Sequence, residues 1–239
     1  MAFTLLSWLF PNTCQLCGEP GDLTICPACR TRLERVPRPV CLYCGSPVAG
    51  EQDDPMHCAA CHAKPRPFTF ARSALYETPE TLGLVHDLKY HRATHLARPL
   101  ARIMAELWDC TPQLRQRQDW VVAPVPIAGR KLFSRGYNQA EELAEELCRL
   151  RGLPMLQPLR RVETGVRSQT KLSAAERMKN AYRAYSLQPA YASGKKALPP
   201  HIILLDDVYT TGATARACAH ALRRGGAQTV AALTLLRVR

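Results

Sequence analysis

The chain has 239 residues, 46% of them hydrophobic and 22% charged, with a formal net charge of +12 and a pI near 9.4. That length suits one α/β domain with a small accessory module, and the apolar content excludes a disordered chain. The positive charge points to an anionic partner: nucleic acid, a phosphorylated small molecule or a membrane surface.

The sequence opens MAFTLLSWLF, an apolar stretch too short to span a bilayer. It has no positive residue before it and no small-residue cleavage site after it, so it does not read as a signal peptide. Phe3, Leu5, Leu6, Trp8, Leu9 and Phe10 predict a short helix packed on the rest of the protein. No later run reaches transmembrane length, so a soluble, cytoplasmic protein without a membrane span is expected.

Eight of the eleven cysteines then fall into four C-x-x-C pairs: Cys14/Cys17, Cys26/Cys29, Cys41/Cys44 and Cys58/Cys61. One such turn lets two thiolates converge on an ion, and a second completes a tetrahedron. Four pairs therefore supply ligands for two Zn²⁺ ions with no vacant position, which makes the ions structural. Sequential use of the pairs needs the shortest loops; an interleaved arrangement uses the same eight ligands. Gly18 and Gly45, directly after their pairs, suit the tight turn of a zinc knuckle. Cys110, Cys148 and Cys218 stand alone and read as core thiols. The stretch Pro65-Arg66-Pro67-Phe68 reads as a linker, dividing a cysteine module (1–65) from an α/β domain (66–239).

Past the linker, LGLVHDLKY and HRATHLARPLARIMAELW carry apolar residues at helical spacing. DWVVAPVPI predicts a short strand ending in prolines. NQAEELAEELCRL predicts a helix with Asn138 as its N-cap. HIILLDD predicts a strand, ATARACAHALRR a helix ended by Gly225-Gly226, and TVAALTLLRV a last strand. Apolar strands alternating with helices imply a parallel sheet covered on both faces.

The chemistry concentrates in HIILLDDVYTTGATARA. Asp206 and Asp207 emerge at the carboxyl end of a strand, where open α/β sheets bind ligands. Thr210, Thr211 and Gly212 form a turn into a helix starting near Ala213, where free N–H groups and the helix dipole attract phosphate. Two carboxylates beside a phosphate cradle suit a ribose 5-phosphate, with Thr214 adding a donor.

LLDDVYTTGAT resembles the signature of type I phosphoribosyltransferases, whose ligand is Mg²⁺–phosphoribosyl pyrophosphate. The resemblance implies that Asp206 and Asp207 hold the ribose hydroxyls and that Tyr209, Thr210, Thr211, Gly212, Ala213 and Thr214 hold the 5-phosphate. Together with the four cysteine pairs, LKYHR and APVPIAGRKLFSRGYNQAEELA, it makes nearly the whole chain similar to the ComF family of competence-associated proteins. That family is linked to DNA uptake and the use of incoming DNA. The resemblance implies a type I phosphoribosyltransferase-like parallel sheet flanked by helices, preceded by a small zinc-ribbon module.

In that frame the backbone near Pro124–Ile127 is the candidate pyrophosphate loop. Arg130, Lys131 and Arg135 either neutralise the pyrophosphate or form a solvated basic face. The stretch 160–183 holds seven Arg or Lys residues against two Glu. It reads either as the mobile loop closing over the site or as an exposed basic helix. Its candidates are Arg161, Gln169, Arg177 and Asn180, with Arg161 and Arg177 joining Asp206 and Asp207 as the catalytic set. Two functions are weighed, ahead of a vestigial site on an adaptor, which the intact Asp and Thr positions disfavour. One is a DNA-handling protein that binds single-stranded DNA on its basic surface, with Tyr90 and Tyr137 for stacking and with DNA-uptake or recombination proteins as partners. The other is a transferase moving phosphoribosyl onto a nucleobase or amine.

Overall fold

The computed structural model describes residues 12–49, 57–62, 66–162 and 182–239. The cysteine module contributes two short helices, α1 (Pro27–Arg32) and α2 (Ala59–His62), each with one buried cysteine. Then follow β1 (Phe70–Tyr76), α3 (Pro79–Tyr90), α4 (Ala97–Asp109), α5 (Pro112–Arg115), β2 (Val121–Pro124), α6 (Gly129–Arg135) and α7 (Gln139–Arg151). The chain ends with β3 (Leu159–Arg161), β4 (Tyr185–Leu187), α8 (Pro189–Ala192), β5 (His201–Tyr209), α9 (Ala213–Arg224) and β6 (Thr229–Arg237).

Local chemistry explains the helix starts. Thr78 and Thr81 cap α3 reciprocally, with Pro79 in its first turn. Asn138 caps α7 by accepting from the Ala140 N–H, as its sequence predicts.

Four strands form a parallel sheet in the order β1-β6-β5-β2. Side chains alternate across it. Ile203, Leu205, Leu233 and Leu235 pack with apolar residues of α3, α4 and α7. Ile202, Leu204, Val230 and Ala232 pack with those of α9. The α/β architecture with a parallel sheet flanked by helices is therefore as expected.

Three strands were not legible beforehand. The edge strand β1 has an apolar run broken by Arg72 and Ser73, both buried. The antiparallel pair β3–β4 flanks the basic stretch. Cys148 and Cys218 are buried thiols, whereas Cys110 is exposed at the end of α4. The N-terminal apolar segment and Gln169, Arg177 and Asn180 lie outside the described residues. Among the described residues no helix is long and apolar enough to cross a membrane.

The cysteine module straddles the sheet edge. Cys14, Ile25, Cys29 and Leu33 join the core on the α3/α4 face. Cys41, Cys44 and Cys61 join the core on the α9 face. The segment between them crosses β1, where the Tyr76 N–H donates to the Glu34 carbonyl (2.8 Å) and the Ala71 N–H to that of Tyr43 (2.6 Å).

Candidate functional site

The eight paired cysteines gather into two groups, Cys14/Cys17/Cys26/Cys29 and Cys41/Cys44/Cys58/Cys61, with all donor atoms of a group within 4.8 Å of one another. The pairs are used sequentially. Sulfurs on a tetrahedral zinc with bonds of ~2.3 Å stand about 3.8 Å apart. The Sγ separations are 3.9 Å between Cys17 and Cys26 and 3.7 Å between Cys44 and Cys58. The donor sets fit two structural Zn²⁺ ions.

Each four-thiolate zinc carries net negative charge, and arginines surround the second group most closely. Arg66 Nε donates to Cys61 Sγ at 3.4 Å. Arg237 donates to the Cys44 carbonyl at 2.8 Å, and its guanidinium lies 4.9 Å from the centre of the Tyr209 ring. Tyr209 abuts Gly212 of the signature turn, so the second ribbon reaches that turn through one guanidinium and one ring.

Strand β5 delivers Asp206 and Asp207 to opposite faces of the sheet, since successive side chains alternate. Asp206 faces α9. It shares a cavity of about 40 Å³ with Tyr209, Thr210, Gly212, Ala213 and Thr214, room for about three water molecules. Gly212 has φ +73°, and a Cβ there would lie 2.2 Å from the Tyr209 hydroxyl, so only glycine lets the turn close on the ring. Burial, reinforced by the adjacent Asp207 carboxylate, holds the Asp206 carboxyl well above the usual range even though the residue keeps a partly exposed edge. Burial also pushes the Tyr185 hydroxyl up to about 12, with Arg161 acting against it. Arg161 Nη1 donates to that hydroxyl at 2.5 Å. Among the described residues the buried Tyr209 hydroxyl has no hydrogen-bond partner.

Asp207, 4% exposed, faces α3 and α7. Lys89 Nζ lies 2.5 Å from its Oδ2, a close ion contact off the hydrogen-bond direction. Gln139 donates to its Oδ1 at 3.4 Å, and Arg135 donates to Gln139 at 2.8 Å. Asn138 ties this helix start to the β2 loop by donating to the Val125 carbonyl at 3.0 Å. Arg135 also sits 4.8 Å from the centre of the Tyr90 ring. Beside this network lies a cavity of about 290 Å³ lined by Lys89, Tyr90, Arg92, Lys131, Ser134 and Arg135, with no acidic residue among them. The motifs LKY, RGYNQ and LDD therefore meet at one place.

A family model for a double zinc ribbon domain matches residues 5–62. The DNA utilization protein YhgH of Salmonella typhimurium is 33% identical over 236 residues, covering 95% of this chain and 97% of that protein. The chain belongs to the ComF/YhgH family. Competence protein F of Haemophilus influenzae is 28% identical, covering 89% of this chain and 90% of that one. Competence protein ComFC of Bacillus subtilis is 25% identical over 90% of this chain and 85% of its own.

In this ComF/YhgH member, Asp206, Tyr209, Thr210, Gly212, Ala213 and Thr214 gather at the start of α9. Thr211 is exposed on the same turn. Arg135 belongs to the Asp207 side, and Arg161 stands by Tyr185. Arg177 lies outside the described residues. Tyr90 is 59% exposed, whereas Tyr137 is half-buried and donates its hydroxyl to the Leu88 carbonyl. Sequence reasoning missed Lys89, whose role appears only when α3 meets β5. It also missed Phe133, 93% exposed in GRKLFSR. An aromatic between basic residues on a short helix was the available signal.

Proposed function

We propose that the chain binds Mg²⁺–phosphoribosyl pyrophosphate at the carboxyl end of β5 and single-stranded DNA on the adjoining basic surface. The observation that carries this reading is the cavity that Asp206 shares with the Tyr209–Thr214 turn. In this reading the N–H groups at the start of α9 and the hydroxyls of Thr210 and Thr214 take the 5-phosphate. Asp206 and Asp207 hold the ribose hydroxyls. The cation-lined cavity beside Asp207, with Arg135, Lys131 and Arg92, takes the pyrophosphate, whose own oxygens would carry the Mg²⁺.

The relatives' names, DNA utilization protein and competence protein, support the DNA half, as does the net charge of +12. Loading both zinc sites lowers that charge to about +8, still strongly basic. Tyr90 and Phe133 stand exposed near Arg130, Lys131 and Arg92, the mixture of rings and cations that binds single strands without sequence preference.

The test is anisotropy of a labelled single-stranded oligonucleotide against zinc-loaded protein over a salt series, with and without Mg²⁺–phosphoribosyl pyrophosphate. Binding should weaken steeply with salt, shift when the sugar phosphate is added, and lose about one unit of salt slope in Arg130→Ala. Absence of binding at low salt would remove DNA as the partner.

A further inference from the structure

The segment joining the two ribbons crosses the edge strand β1 and meets it at Ala71 and at Leu75–Tyr76. Between those points Arg72, Ser73 and Ala74 remain uncovered by backbone and face a cavity of about 310 Å³. Val36, Val40 and Leu107 provide apolar walls, and Arg35 and Arg38 stand at the rim. Its size falls within the range of small-molecule sites. It lies at the sheet edge, away from the carboxyl end of β5.

Charge is the distinguishing feature. Arg72 is 9% exposed and forms no salt bridge among the described residues. Its Nη1 donates to the carbonyls of Ala71 (2.8 Å), Leu42 (3.1 Å) and Cys41 (3.5 Å), while Nη2 and Nε donate to nothing among the described residues. Arg38 donates to the Cys110 carbonyl and has no acidic partner among the described residues. Glu106 is the one acid in the lining, and it is already shared by Arg30 and Arg35. The thiolate zinc site of the second ribbon supplies negative charge beside Arg72, but only Nη1 is hydrogen-bonded there, which leaves Nη2 and Nε open to an anionic acceptor in the cavity.

We infer that this cavity is a binding site for a small amphipathic organic anion, its acidic head group on Arg72 and Arg38 and its apolar body against Val36, Val40 and Leu107. The inference is independent of the phosphoribosyl reading. Because the cavity's walls come from the inter-ribbon segment and from β1, an occupant would clamp the ribbons against the sheet.

Anilinonaphthalene sulfonate, an apolar body with one anionic group, is a suitable probe for fluorescence titration of the zinc-loaded full chain. The expected result is saturable one-site binding that weakens about tenfold in Arg38→Glu and is lost in Val36→Trp, which fills the cavity from an exposed segment. Arg98→Glu, on a different groove, should leave it unchanged, and each variant should retain two zinc ions. Displacement by octanoate assigns a carboxylate head group, and displacement by octyl phosphate a phosphate. Affinity equal in all variants, binding only after zinc removal, or displacement by neither anion would overturn the inference.

Discussion

The two zinc ribbons share their ligand chemistry but not their surroundings. Gly18 and Gly45 occupy the same place after a C-x-x-C pair, both with positive φ, +72° and +69°. A Cβ on Gly18 meets open space; one on Gly45 would lie 2.5 Å from the Ala71 carbonyl oxygen. Cys17 of the first group is exposed, whereas Cys41, Cys44 and Cys61 of the second are buried. The first ribbon is thus a docked appendage on the α3/α4 face. The second is built into the sheet edge and, through Arg237 and Tyr209, into the signature turn. Metal sites with the same ligand set can therefore differ in how firmly they are tied to the sheet, according to what their carbonyls and thiolates touch.

Breaking each metal site should give the largest contrast. Cys44→Ser should lower the unfolding temperature by about 10 °C or more, because metal loss there frees the segment wedged against β1 at Gly45 and held by Arg237, contacts the first ribbon does not make. It should also weaken binding of the sugar phosphate. Cys17→Ser should cost less and leave that binding intact. Zinc content with thermal unfolding checks both, and equal losses would erase the distinction.

A milder comparison replaces the two glycines. Both substitutions pay for a left-handed alanine, about 1 kcal/mol. Gly45→Ala adds the collision with β1 and should reach about 3 kcal/mol in denaturant unfolding. Matching costs would show that the ribbons are docked alike.

The smallest effect concerns Asp206, on the ribbon-linked side of β5. Its carboxyl pKa is raised in the folded state, chiefly by burial and then by Asp207. The folded chain therefore holds that proton more tightly than the unfolded one, and stability falls as pH rises from the ordinary carboxylate value toward the raised one. Asp206→Asn removes this loss. Its unfolding temperature should exceed that of the parent by a few degrees at neutral pH, at ~2–4 °C per kcal/mol, with the gain vanishing near about pH 4. A gain independent of pH would point to packing instead.

Much of this organisation was legible in the sequence because each signal was local. The run HIILLDD, the glycine turn and the Gly225-Gly226 stop mark β5 and α9 closely. Cysteine spacing yields two metal sites but not their pairing, which depends on how the loops dock on opposite faces of the sheet. Strand β1 escaped notice because Arg72 and Ser73 interrupt its apolar run, and their reasons lie elsewhere: the Cys41 and Leu42 carbonyls for Arg72 and Thr234 for Ser73. Lys89 reads as one more helical lysine until α3 is laid against Asp207. Contacts between distant segments carry no local periodicity, so the Lys89–Asp207–Gln139–Arg135 network becomes visible only in three dimensions.

The most direct test of the central claim is calorimetric titration of Mg²⁺–phosphoribosyl pyrophosphate into zinc-loaded protein and into its Asp207→Asn variant. One saturable Mg²⁺-dependent site in the parent, lost in the variant while two zinc ions and the fold are retained, is the predicted result. No binding in the parent, or binding unchanged in the variant, would contradict a phosphoribosyl site at the end of β5.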